Sequence, residues 1–192
     1  MEEKHRTINL IGISGKIGSG KDTVGGVLQL YFATHQPADA WEIKKFAGKL
    51  KDIAEILTGI PKVNFEMQHF KQSNLPEEWN KNGEPMTARS LLQIVGTDAM
   101  RDQLHENVWV NALFADYNEN SRWIITDVRF PNEAEAIKKH GGIVIRINRD
   151  VDTNNHLSET ALDDYEFDYV IDNNSDMYKL ALDVKAIAEK LV

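Results

Sequence analysis

Hydrophobic and polar positions along this chain switch repeatedly between a period of two and a period near 3.6. Ile8-Asn9-Leu10-Ile11-Gly12-Ile13-Ser14 is a short apolar run rich in β-branched residues, the pattern of a buried strand. After a glycine-rich gap, Val24, Val27, Leu28 and Tyr31 recur at i, i+3, i+4 and i+7 and predict a helix with its apolar face on a sheet. Gly25 and Gly26 inside that helix each cost about 1 kcal/mol against alanine, and close packing is the expected compensation. Pro37 ends the pattern, and Trp41–Phe46 reads as a second strand. Leu50, Ile53, Ala54 and Leu57 mark the next helix, stopped by Gly59 and Pro61.

Residues 62–85 alternate polar and aromatic side chains without a sustained period, which predicts a long loop suited to covering a substrate. Thr87 is placed to cap a helix carrying Leu91, Leu92 and Val95; Gly96-Thr97 interrupts it, and Val110, Leu113, Phe114 and Tyr117 mark another. Strand character returns at Arg122–Asp127, Asn132 is expected to cap a helix ending at Gly141-Gly142, and Ile143–Ile147 is a further buried strand. Arg149 to Ser158 is polar and loop-like, and Tyr169–Asp172 is a last short strand. Asp176 should cap a final helix whose stripe of Met177, Leu180, Ala181, Val184, Ile187, Ala188 and Leu191 faces the core.

Strands alternating with helices imply an α/β fold: a five-stranded, mostly parallel sheet in a three-layer α/β/α arrangement with right-handed crossovers. The expected organisation is one domain over 1–192, with a core of about 7–46 and 122–192. A helical insertion of about 47–118 and a lid-like loop of about 149–165 complete it. Ligands in such sheets bind at the carboxyl ends of the strands, where the glycine-rich gap, Asp127 and Arg149 all fall.

That gap reads Gly15-Lys16-Ile17-Gly18-Ser19-Gly20-Lys21-Asp22-Thr23 between a strand and a helix, the context a phosphate-binding loop requires. Its glycines let backbone N–H groups converge at the positive end of the helix dipole, where anionic phosphate is the natural guest. Lys21 can reach the β- and γ-phosphates of a nucleoside triphosphate. Asp22 occupies the place of the usual Mg²⁺-binding hydroxyl, with Thr23 one residue later. Its carboxylate can engage Mg²⁺ or cap the helix, and Asp127 is a second carboxylate able to hold the metal directly or through water. Phosphoryl transfer needs positive charge around the moving group, and Lys21, Arg129, Arg149, Arg89 and Arg101 could supply it.

Composition narrows the chemistry. The 192 residues carry a formal charge of −8, against a nucleic-acid polymer as main partner. Cysteine is absent, which excludes disulfides and thiolate metal sites. His156, Ser158 and Glu159 lack a second histidine at zinc-ligand spacing, and no Asn-Lys-x-Asp element for guanine is present. The charged N-terminus and the lack of an apolar run of roughly 18 residues lead to the expectation of a soluble cytoplasmic protein without a membrane partner.

The Gly18-Ser19-Gly20-Lys21-Asp22-Thr23 ending and the run Asp127-Val128-Arg129-Phe130-Pro131-Asn132-Glu133 resemble the deoxynucleoside monophosphate kinases of bacteriophages, within the P-loop nucleoside monophosphate kinase fold. Supporting positions are Phe46-Ala47 with Leu50-Lys51, Arg89, Leu92-Gln93, Gly96-Thr97, Arg101, Trp109, Gly141-Gly142, Arg149, His156 with Ser158-Glu159, and Asn173, so the resemblance spans nearly the whole chain. It implies ATP on the loop residues from Gly15 to Thr23, a deoxynucleoside monophosphate bound by the helical insertion, and transfer of the γ-phosphoryl group between them with Mg²⁺. Lys51, Arg89, Gln93, Arg101 and Trp109 would line the monophosphate site, with Arg129 near the transferring phosphate. Arg149 would belong to a lid over ATP, and Asn173-Asn174 would lie by the adenine. The partners implied are this small-molecule acceptor and at most a second copy of the chain, in the host cytoplasm if the source is a phage. Two other readings share the loop: a small-molecule kinase similar to phosphomevalonate kinases, and a partition-type switch ATPase using Lys16 with Lys21.

Overall fold

A computed structural model describes residues 8–150 and 160–191. In chain order its regular elements begin with β1 (Leu10–Gly15), α1 (Lys21–His35), β2 (Glu42–Lys44) and α2 (Ala47–Thr58). There follow α3 (Gln68–Gln72), α4 (Ala88–Gln93), α5 (Val108–Phe114), β3 (Trp123–Val128) and α6 (Pro131–Lys139). The last are β4 (Ile143–Asn148), β5 (Tyr169–Asp172) and α7 (Met177–Ala188). Two 3₁₀ turns, Lys62–Glu66 and Glu77–Trp79, flank α3, and a π-helix, Ile94–Leu104, continues from α4. Among the described residues no helix is long and apolar enough to cross a membrane.

The chain divides into two compact units, one of residues 1–45 and 117–192 and one of Phe46–Asp116. The first is built on a five-stranded sheet of order β2-β3-β1-β4-β5, parallel at every pairing. Its central strands β1, β3 and β4 are buried on both faces, which is why they read as nearly continuous apolar runs, whereas the edge strands β2 and β5 are largely accessible. Ile11, Ile13, Ile124, Ile145 and Ile147 pack with Val24, Leu28 and Phe32 of α1 and Leu180, Val184 and Ile187 of α7. On the opposite face α6 packs on β1 and β4.

Neighbouring glycines of α1 differ sharply. A β-carbon on Gly25 would stand 2.5 Å from Thr126 Cγ2, whereas one on Gly26 would meet nothing within 4 Å. Close packing therefore accounts for Gly25 alone. In α7, Asp176 accepts from the Lys179 N–H as an N-cap, but Met177 at its start is 60% exposed and stands outside the buried stripe.

The helix after β3 starts differently from its sequence-based expectation. Phe130 is the N-cap and Pro131 the first helical residue, so Asn132 lies inside the helix. Glu133 closes this end by accepting from the N–H groups of Arg129 (2.8 Å) and Phe130 (3.1 Å). A proline disfavours α geometry in the residue before it, which fixes the boundary at Phe130.

In the unit Phe46–Asp116 the predicted open loop 62–85 is instead folded on a core of its own. Phe65 is fully buried, it meets Phe70 edge-on at 5.5 Å, and Ala54, Leu75, Ala88 and Leu91 complete the cluster with Trp79 and Met86 against it. Asn82 and Gly83, with φ of 56° and 82°, make a tight turn between Lys81 and Glu84. Aromatic anchors and turns hold this stretch, so it has no period to read. Thr87 caps α4 by accepting from the Ser90 N–H at 3.1 Å. Gly96-Thr97 does not interrupt the helix, because the chain passes through it in π geometry.

Candidate functional site

The crossover from β1 to α1 forms the loop at the carboxyl edge of the sheet. Gly18 (φ 79°) and Gly20 (φ 99°) adopt left-handed geometry, which side-chain-bearing residues rarely tolerate. Lys16 O accepts from the Ser19 N–H (3.1 Å) and from Lys21 Nζ (2.8 Å), so the lysine lies back across the loop that it would serve. Ser19 is fully buried beneath the loop, while Gly15, Lys16 and Gly20 are partly accessible and Thr23 is exposed in the first turn of α1.

Gly20, not Asp22, is the N-cap of α1. The Asp22 carboxylate lies in the first turn and is tied to β3 and to the end of β2. It accepts from Thr126 Oγ1 at 2.9 Å and pairs with Lys45 Nζ at 3.0 Å. Burial pushes its pKa up, but the hydrogen bonds from Lys45 and Thr126 and the charges of Lys45 and Lys21 outweigh that and hold it below the ordinary carboxylate value.

Asp127 follows Thr126 where the β1–β3 pairing slips. Gly12 pairs with Ile125 but Ser14 with Val128, so β3 carries one extra residue across Thr126-Asp127. Such a bulge re-aims side chains at a strand end. Arg129 is half-buried on the following turn. Arg149, directly after β4, donates from Nη1 to Gly18 O at 3.2 Å. Asn173, directly after β5, is buried and donates from Nδ2 to Ser19 O at 2.8 Å. The ends of four strands thus contribute to one edge of the sheet, as parallel connectivity dictates. His156, Ser158 and Glu159, with most of the lid-like loop, lie outside the described residues.

Sequence reasoning missed Arg146, although an arginine inside the apolar run Ile143–Ile147 was an available signal. It is buried, donates to Ser14 Oγ (3.2 Å) and Asp163 Oδ1 (2.8 Å), and lies over the Phe167 ring at 5.4 Å. Arg146, Lys16, Arg149, Tyr165, Phe167 and Asn174 line an open pocket of about 560 Å³ beside the loop. Among the described residues there is no cluster of three or more metal-ligating side chains. Mg²⁺ needs none, because one or two carboxylates together with substrate phosphates suffice.

Within Phe46–Asp116, Arg89 is half-buried and Gln93 exposed, four residues apart on one face of α4. No hydrogen bond or ion pair among the described residues occupies the Arg89 guanidinium. Arg101, also half-buried, sits near the end of the π-helix. Lys51 and Trp109 are turned inward instead. Lys51 is 7% exposed and paired with Glu66 at 2.6 Å, and the Trp109 indole N–H donates to Gly96 O at 2.8 Å. Their polar groups are engaged in holding the unit together.

The family model for deoxynucleotide monophosphate kinases matches residues 48–184. The chain belongs to the deoxynucleotide monophosphate kinase family. It is 31% identical, over 86% of its length and 88% of the relative's, to a protein of Acanthamoeba polyphaga mimivirus named provisionally as a deoxynucleotide monophosphate kinase. It is 24% identical to the deoxynucleoside-5'-monophosphate kinase of Escherichia phage T5, over 68% of this chain and 72% of that one. The deoxynucleotide monophosphate kinase of Enterobacteria phage T4 is 26% identical over 59% of this chain and 47% of its own length. The chain is accordingly an enzyme with deoxynucleotide monophosphate kinase activity, and a kinase family implies the use of ATP. The phosphomevalonate-kinase-like and switch-ATPase readings fall away with that membership.

Proposed function

We propose that this kinase transfers the γ-phosphoryl group of ATP to deoxynucleoside monophosphates with the help of Mg²⁺, holding ATP on the loop Gly15–Thr23 and the acceptor on the unit Phe46–Asp116. The observation that carries the donor assignment is the loop geometry, with left-handed Gly18 and Gly20 and Lys21 Nζ resting on Lys16 O at 2.8 Å. A lysine resting on a carbonyl of the loop itself already lies where a bound phosphate would meet it. The 560 Å³ pocket beside Lys16, Arg149 and Asn174 has the size and mixed lining suited to the nucleoside part of ATP.

Asp22 and Asp127 are the residues that would hold Mg²⁺, which when bound neutralises charge on the phosphates. Lys45 pairs with Asp22 at 3.0 Å, so that carboxylate would be shared between the lysine and the metal. Arg129 sits two residues beyond Asp127 and is assigned to the charge that develops on the transferring group. Arg89 and Gln93 are assigned to the acceptor, because each offers donors from one helix face. Lys51 and Trp109 support that face from inside.

A coupled ADP-release assay across the ribo- and deoxynucleoside monophosphates, titrated with Mg²⁺, tests this reading. ADP release that requires both a deoxynucleoside monophosphate and Mg²⁺ is expected. Release at the same rate without acceptor, or without divalent metal, would overturn it.

A further inference from the structure

We infer that Asn173 is a positioning residue for the phosphate loop and not a contact for the nucleotide base. The inference rests on the reading of Gly15–Thr23 as the donor-phosphate site. Asn173 is 8% exposed, and its side-chain Nδ2 reaches across to Ser19 O at 2.8 Å. Its own N–H donates to Asn148 O at 2.7 Å, which fixes the chain where it leaves β5. Gly20 accommodates the amide: a β-carbon there would stand 2.7 Å from Asn173 Nδ2. The glycine is thus required twice, once for its φ of 99° and once for this neighbour.

The mechanical consequence follows from the planar trans peptide. Where the Ser19 carbonyl is held toward Asn173, the N–H of Gly20 across the same peptide must point the opposite way. Among the described residues no backbone acceptor takes that N–H, so the clamp leaves a donor aimed in a fixed direction. Asn173 therefore sets the orientation of one of the loop's own phosphate donors. A base-recognising amide would have to be open to ligand, and this one is buried with its Nδ2 donating to the loop. The adjacent Asn174 accepts the Asp150 N–H through Oδ1 at 2.7 Å, so the same two residues join the end of β5 to the loop and to the chain leaving β4. Parallel topology brings the three together although Ser19 and Asn173 are 154 residues apart.

Calorimetric binding of ADP and of inorganic tripolyphosphate to wild type, Asn173→Ala and Asn173→Leu separates the two roles. Leucine keeps the volume and removes the amide, which guards against a variant that fails to fold. Both variants should lose affinity for ADP and tripolyphosphate by the same factor, about tenfold, the scale of one hydrogen bond. Amide exchange of the peptide spanning Gly18–Lys21 should quicken in both. A loss confined to ADP, or no loss with unchanged exchange, would overturn the inference. Lys21→Ala serves as the reference: if it weakens both ligands while the Asn173 variants do not, only the inference fails. If Lys21→Ala also leaves both ligands bound as before, the phosphate-loop reading itself fails.

Discussion

In the sheet unit, polar groups near the loop are held by partners remote in sequence. Asn173 reaches Ser19, Thr126 reaches Asp22, and Arg146 joins Ser14 to Asp163. In the unit Phe46–Asp116, Thr87 caps to Ser90, Trp109 bonds back to Gly96 and Lys51 pairs with Glu66, contacts closer in sequence, while Lys49 with Asp116 ties the two ends of the unit together. The difference follows from architecture. A parallel sheet delivers the ends of distant strands to one edge, so rigidity there comes from topology. A small unit of short helices, 3₁₀ turns and a π-helix has no such edge and is held by aromatic anchors and individual polar pairs. A preorganised loop and a pair-held unit should therefore fail in different ways when a single residue is changed.

The largest effect belongs to the loop. Lys21→Ala should lower the rate of transfer at least about a hundredfold, the scale of losing one preorganised charge from a transition state, with little change in stability. Steady-state rates beside a circular dichroism melt check it. A comparable loss of melting temperature would show that the loop is not held independently of its lysine.

The second unit should show the reverse, a stability effect governed by one pair. Glu66→Ala strands Lys51, only 7% exposed, as an uncompensated buried charge, at a cost of about 3 kcal/mol. Lys51→Met leaves Glu66, which is 38% exposed and can be hydrated, and should cost about 1 kcal/mol or less. Denaturant melts of the two variants measure the asymmetry. Equal costs would mean that Lys51 is not held as a buried ion.

Kinetics sharpen the contrast at a smaller scale. Arg129→Ala should lower kcat about tenfold with little change in either KM, because charge at the transferring group matters most in the transition state. Arg89→Ala should instead raise the KM for the deoxynucleoside monophosphate about tenfold, the loss of one charge-assisted contact. If both variants changed only the ATP KM, donor and acceptor residues would have been divided wrongly.

Much of the sheet unit was legible because its signals are local. The β-branched runs gave all five strands, Tyr169–Asp172 to the residue, and Asp176 declared its cap. Trp41–Phe46 shrank to Glu42–Lys44, since pairing with β3 covers only those residues. The glycines and Lys21 announced a phosphate loop, but what holds it did not show. No local pattern tells that Asn173 reaches Ser19 or that Lys45 and Thr126 share Asp22. Residues 62–85 were illegible for a different reason, since burial there falls on isolated aromatics at irregular spacing. Asn82-Gly83 was a turn signal available there. Asn132 was misassigned because its motif is generic, whereas the proline before it restricts Phe130 directly.

The smallest prediction concerns Gly25 and Gly26, which share a helix, a residue type and a propensity penalty. Gly26→Ala adds a methyl into open space and gains helix propensity, so it should stabilise the protein by about 1 kcal/mol. Gly25→Ala gains the same propensity but sets its β-carbon 2.5 Å from Thr126 Cγ2, between a helix and a central strand that cannot easily part. Overpacking of that kind costs about 1–3 kcal/mol, which should outweigh the gain and leave a net loss of about 1 kcal/mol. Thr126 is also the donor to Asp22, so relief of the clash by turning Thr126 would release the carboxylate from β3. Thermal melts should move in opposite directions for the two variants, and Gly25→Ala should lose some activity as well. A rise in melting temperature for both would mean that α1 is seated less closely on β3 than the 2.5 Å approach at Thr126 implies.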